Sequence, residues 1–163
     1  MQKSLEVEPV ESSLASRREV ADRVQIGCLA LFSQQAAPAT FLSLAVAAVT
    51  ASVLWSVTNH TAVLLWIGAM TVYAIVRYRM IDRFRRETMT GDLAARWRTR
   101  FEMVSLGGGL LWGIAGSVLL PAESTVHQVF LGFVFGGVTA GAVGYLSPLW
   151  RAYLFYIWPI AVL

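Results

Sequence analysis

Long apolar runs separated by short polar turns set the pattern of this chain. No Asp, Glu, Lys or Arg lies between Arg23 and Arg77, between Glu102 and Glu123, or between Glu123 and Arg151. A helix needs roughly 20 mostly apolar residues to cross a hydrocarbon core of about 30 Å, so these windows hold several crossings. The pattern predicts spans at about 39–57, 62–78, 101–120 and 129–146, with an incomplete fifth over 152–163. Polar turns fall at Thr58–Thr61 and in the segment PAESTVHQ that starts at Pro121. The last run rises only about 18 Å as helix. The chain is therefore expected to be the N-terminal piece of a longer protein, cut within that span.

Ahead of the first span, residues 1–16 are polar and acidic, offer little to bury, and are expected to be disordered. Residues 17–37 carry Val20, Val24, Cys28 and Leu31 at helical spacing, which predicts an amphipathic helix lying on the membrane surface. Pro38 is expected to start a new direction, because proline suits a first turn and breaks an interior. The second span runs on as helix into RYRMIDRFRR, and Gly91 within Met89–Asp92 interrupts it. Residues 79–100 then form a hairpin outside the membrane.

Composition sharpens this reading. The chain is 56% hydrophobic and only 14% charged, where a soluble domain carries about 25% charged residues. The fold class is all-α, an integral membrane helical bundle. All 13 Lys and Arg residues fall in segments 1–38, 77–101 and 147–152, on one side of the bundle, and only Glu123 is charged on the other. Short loops rich in Lys and Arg stay in the cytoplasm, which puts the N-terminus and the hairpin there.

That asymmetry assigns a role to Arg77, Arg79, Arg83, Arg85, Arg86, Arg96, Arg98 and Arg100. They are read as topology determinants beside anionic lipid headgroups, each worth about 1 kcal/mol near the surface. They flank two apolar spans, so no nucleic-acid partner is expected. Trp55, Trp66, Trp97 and Trp150 fall near span ends as an aromatic belt, while Trp112 and Trp158 fall within spans as packing or lipid-facing residues.

Candidate chemistry is sparse. Ser105, Gly109, Gly113 and Ser117 recur every four residues, as do Gly132, Gly136, Ala140 and Gly144, with Gly137 and Gly141 on a neighbouring stripe. Such stripes let backbones approach closely in lipid. Spans three and four are thus expected to pack on each other or across a homodimer. His60, Glu123 and His127 lie in the outer turns, as pH-sensing candidates or as plain solvated turn residues. The single Cys28 excludes an intramolecular disulfide and reads as a buried or lipid-facing thiol. The span interiors offer hydroxyls such as Ser43, Thr50, Ser52, Thr71 and Thr139 but no ionisable side chain, which argues against ion-coupled transport. No P-loop, dinucleotide fold signature, catalytic triad, zinc spacing, kinase or cyclase motif occurs. Neither a catalytic role nor a cofactor is expected for this segment.

The order of features resembles the N-terminal membrane-sensing regions of bacterial signalling proteins. These carry histidine-kinase, diguanylate-cyclase (GGDEF) or EAL phosphodiesterase domains at their cytoplasmic ends. The matching parts are RREVADRVQIGCLALFSQQAAPATFL, RYRMIDRFRR, RWRTRFEMVSLGGGLLWGIAGSVLLP and HQVFLGFVFGGVTAGAVGYLSP. The resemblance covers nearly the whole chain from Arg17. It implies a multi-pass sensor in the bacterial inner membrane that relays a signal to a cytoplasmic output domain absent from this chain. The alternatives are part of a transporter or channel subunit, or a membrane scaffold.

Overall fold

Helices dominate because a chain this apolar must satisfy its backbone polar groups internally when lipid surrounds it. The computed structural model describes residues 7–88, 91–121 and 123–163, and of 7–15, Arg18, Asp22, Gly91 and Asp92 it gives the backbone alone. The elements are α1 (Val7–Leu54), α2 (His60–Arg86), α3 (Gly91–Val118), α4 (Thr125–Leu146), a 3-10 turn (Ser147–Leu149) and α5 (Trp150–Val162). Among the described residues there is no strand. Four helical stretches are long and apolar enough to cross a membrane: Glu19–Leu54, His60–Arg86, Leu93–Val118 and Thr125–Val162. The last of these joins α4 to α5 through the turn, which opens on Ser147 and Pro148.

The first helix departs from expectation. It runs unbroken for 48 residues with Pro38 inside it, a length of about 72 Å. Neither a separate surface helix over 17–37 nor a break at Pro38 is found. Residues 1–6 lie outside the described part, but 7–16, expected to be disordered, belong to this helix. A proline in a helix removes one N–H and crowds the carbonyl four residues back. Neighbouring carbonyls of this weakened turn gain side-chain donors. Arg85 Nη2 donates to the Ser33 carbonyl at 2.6 Å, and Thr40 Oγ1 donates to the Ala36 carbonyl at 2.7 Å.

The apolar stripe of α1 is also not the expected one. Val20, Val24 and Leu31 are exposed and Cys28 is half-buried, whereas Leu29, Phe32, Ser33 and Ala36 are buried. The α2–α3 hairpin decides this. Its Phe84, Trp97 and Phe101 form an edge-to-face cluster, and Phe32 joins it with its ring centroid 4.7 Å from that of Phe101. Aromatic pairs at this distance add about 0.5–1.5 kcal/mol beyond area burial. Removing the Arg85 donor tests how firmly α1 is held. Arg85→Ala is expected to weaken the turn around Pro38 by about 1 kcal/mol. Hydrogen exchange at the amides of residues 33–40 should then accelerate about fivefold, with the amides of α4 unchanged.

After α1, Asn59 opens α2 by accepting from the Thr61 N–H at 2.8 Å, as N-cap residues do. The helix ends at Arg86 and α3 begins at Gly91. Met89 and Thr90, half of the expected break, lie outside the described residues. The α5 helix lies beside α3 and runs parallel to it: Arg151 stands 4.0 Å from Glu102, and Ser117 donates to the Leu163 carbonyl at 2.5 Å.

Candidate functional site

Along α2 the buried residues are Val63, Trp66, Met70, Arg77, Ile81 and Phe84. Arg77 sits in the middle of this apolar face and is only 4% exposed. It lies 17 residues beyond His60, or about 25 Å along the helix. That places it toward the arginine-rich end of the helix, yet the side chain is enclosed by protein. The expectation that Arg77 contacts headgroups with the other arginines is therefore corrected.

Three tyrosines surround it. Arg77 Nη1 donates to the Tyr73 hydroxyl at 3.3 Å, and Tyr73 in turn donates to the Val104 carbonyl of α3 at 3.1 Å. The guanidinium lies over the Tyr145 ring of α4, 4.9 Å from its centroid, a cation–π stack that is strongest where water is absent. Tyr156 of α5 is buried nearby, and a methyl group on Gly108 would touch both Tyr73 and Tyr156. Gly108 thus leaves room for the two rings. One small region joins α2, α3, α4 and α5.

The pairing of Arg77 is incomplete. Its Nη2 has no hydrogen-bond partner. Among the described residues, no carboxylate comes within 4.0 Å of it. Arg77 also lines a cavity of about 10 Å³, together with Thr40, Ser43, Tyr73 and their neighbours, about the size of one water. Behind Ser43 and Tyr145 lies a larger cavity of about 290 Å³ between α1 and α4. A guanidinium keeps its proton under all ordinary conditions. The group is a fixed positive charge and cannot relay protons.

No family model, curated protein or solved structure matches this chain. The site therefore rests on its geometry.

The other arginines remain near the surface. Arg79, Arg83 and Arg96 are exposed. Arg86 pairs with Asp82 at 3.0 Å, Arg98 with Glu102 at 3.2 Å, and Arg100 lies over the Trp97 ring at 4.9 Å. Trp66 and Trp97, expected at the membrane boundary, are buried. Each N–H has found a partner, the Leu111 carbonyl at 2.8 Å and Glu87 at 2.7 Å respectively.

Neither outer histidine is brought into a shared site. His60 stacks on Trp55 with centroids 4.5 Å apart, His127 Nδ1 bonds the Ser124 hydroxyl at 2.6 Å, and Glu123 is exposed. On α3, Ser105, Gly109 and Gly113 are buried, but the neighbour of the stripe is α5 rather than α4. Methyl groups at Gly109 and Gly113 would run into the backbones of Tyr156 and Pro159. On α4, Gly132, Gly136, Gly137, Ala140, Gly141 and Gly144 are all exposed, and every glycine of the set has open space where a side chain would go.

Sequence reasoning passed over Arg77, Tyr73, Tyr145 and Tyr156 as a group. The available signal was spacing. Val63, Met70, Arg77 and Phe84 recur every seven residues on α2, so a buried face predicted from the first two positions already includes Arg77.

Proposed function

We propose that this chain is the membrane-embedded sensory or regulatory module of a bacterial signal-transduction protein in the inner membrane. It relays a signal by helix rearrangement to a cytoplasmic kinase or cyclic-di-GMP domain encoded beyond residue 163. The module itself does no catalysis. The observation that carries the reading is α1: one unbroken helix of 48 residues. Its later half lies in the bundle, against the small cavity beside Arg77, and its earlier half continues past the arginine-rich hairpin. A continuous helix of about 72 Å can carry a shift or rotation in the bundle some 30 Å or more beyond the hydrocarbon core. An alternative reading as an ion-coupled transporter finds little support in a fixed guanidinium with no acidic partner.

On the open face of α4, Gly132, Gly136 and Ala140, which do not line the cavity between α1 and α4, form the surface proposed to meet a second copy of the chain. Reading the coding sequence past codon 163 tests the functional reading. A histidine-kinase, GGDEF or EAL domain is expected, and a further membrane protein without any cytoplasmic domain sinks the idea. Orientation has its own check. With Cys28→Ser as background, an impermeant thiol reagent added to intact cells should label Asn59→Cys and Ser124→Cys. Thr88→Cys should react only after permeabilisation, and the reverse pattern overturns the topology.

A further inference from the structure

The 290 Å³ cavity between α1 and α4 is open to the side and closed at its back. Leu42, Gly137 and Gly141 on its rim are exposed, whereas Ala142 and Tyr156 at its depth are buried. It spans residues 39–46 of α1 and 134–145 of α4, a height of about 10–16 Å. That height matches part of one acyl chain in the leaflet on the arginine side. Its lining is almost wholly apolar, apart from the Ser43 hydroxyl and the Tyr145 and Tyr156 rings.

The charge stands behind the Tyr145 wall of the groove, at the end near Ala39. Arg77 stacks on the Tyr145 ring that forms the wall, and Ser43 borders both this groove and the water-sized cavity that Arg77 also lines. Ser43 accepts from Trp112 Nε1 at 3.4 Å, which leaves its own proton free to donate toward the groove. A buried guanidinium with no carboxylate beside it attracts an anion, and an arginine suits phosphate in particular. We propose that this groove binds one anionic phospholipid from the leaflet on the arginine side. One acyl chain lies between α1 and α4, and the phosphate is held at the Ser43–Tyr145 end, where Arg77 neutralises it through a single bridging water. The site stands whether or not α1 relays a signal.

Two variants separate the parts of this idea. Arg77→Met removes the charge. Gly141→Leu fills the groove at an exposed position where an added Cβ meets nothing within 4 Å, so the backbone should tolerate it. Gly144→Leu, on the same helix but outside the groove, is the control. The intact chain, purified in nonionic detergent, is incubated with phosphatidylglycerol and phosphatidylcholine of identical acyl chains, and retained lipid is read by native mass spectrometry.

The wild type is expected to retain one phosphatidylglycerol with about tenfold preference. Arg77→Met should lose the preference, Gly141→Leu should lose the bound lipid, and Gly144→Leu should match the wild type. Equal retention of the two lipids overturns the proposal, as does retention unchanged by Gly141→Leu. In a parallel incubation with decanoate, retention of the fatty acid in place of phosphatidylglycerol also overturns it. Should Arg77→Met fail to fold, the lipid preference of the wild type and its loss in Gly141→Leu decide the outcome.

Discussion

Replacing Arg77 by methionine is expected to raise the stability of the delipidated protein by about 1–3 kcal/mol. For a chain of this size that corresponds to a melting temperature higher by about 2–12 °C. The direction follows from what the guanidinium has and lacks. It has a long hydrogen bond to Tyr73 at 3.3 Å and a stack on Tyr145 at 4.9 Å. It lacks a carboxylate, and Nη2 is unpaired. A desolvated cation–π contact returns about 2 kcal/mol. Burying a cation costs several kcal/mol, and leaving a charged donor unsatisfied adds a further penalty of at least 1–3 kcal/mol. The losses exceed the gains. Methionine is similar in length, flexible, and able to fill the same space. Arg77→Lys separates charge from shape: it keeps the cation but loses the planar stack, and it should be less stable than the wild type. Thermal unfolding in detergent, without added anionic lipid, checks both variants. A clear loss of stability in Arg77→Met would mean that the arginine is structural. Natural sequences retain such destabilising groups where function requires them.

The four helical stretches long and apolar enough to cross a membrane, and their order, were legible because each depends on simple counts along the chain. The fourth span, expected from about 129 to 146, corresponds to α4 at Thr125–Leu146. Features that depend on which helix meets which were not legible. Pro38 reads as a break because local chemistry says so, yet α1 continues through it, with Arg85, 52 residues away, donating into the weakened turn. Two apolar stripes on α1 satisfy helical spacing equally well. The aromatic cluster of the hairpin selects the one containing Leu29, Phe32 and Ala36. Arg77 was hidden for a related reason. It is the first of a run of arginines that share composition but not helical phase, and only the residue in step with Val63 and Met70 turns inward. The glycine stripe of α3 was legible from its period of four. Its neighbour was not, because the apolar run over 152–163 has no polar face to show which side it turns to the bundle.

That neighbour makes Gly109 the second position where one substitution should have a large effect. A methyl group there would sit within 3.0 Å of the Cα and closer still to the carbonyl of Tyr156, and one at Gly113 would stand 2.5 Å from the Pro159 carbonyl oxygen. The obstacle in both cases is backbone, which cannot turn aside as a side chain can. Gly109→Ala must push α5 away from α3, at a cost of about 1–3 kcal/mol typical of overpacking, and Gly109→Leu should displace α5 altogether. In lipid no hydrophobic drive compensates, because helices there are held largely by close van der Waals contact. Gly137→Ala is the contrast. Nothing lies within 4 Å of its added methyl, so its stability should stay within about 0.5 kcal/mol of the wild type. The effects of Gly109→Ala and Gly113→Ala should be less than additive, since a helix already displaced by the first no longer meets the second. Thermal unfolding gives the size of each effect, and hydrogen exchange gives its place. Amides of residues 152–160 should lose protection in Gly109→Ala, while those of α1 and α2 keep theirs. Unchanged protection in α5 would show that the glycine is not what admits the Tyr156 backbone. Loss spread evenly over all helices would show instead that α5 is integral to the bundle rather than a separable layer upon it.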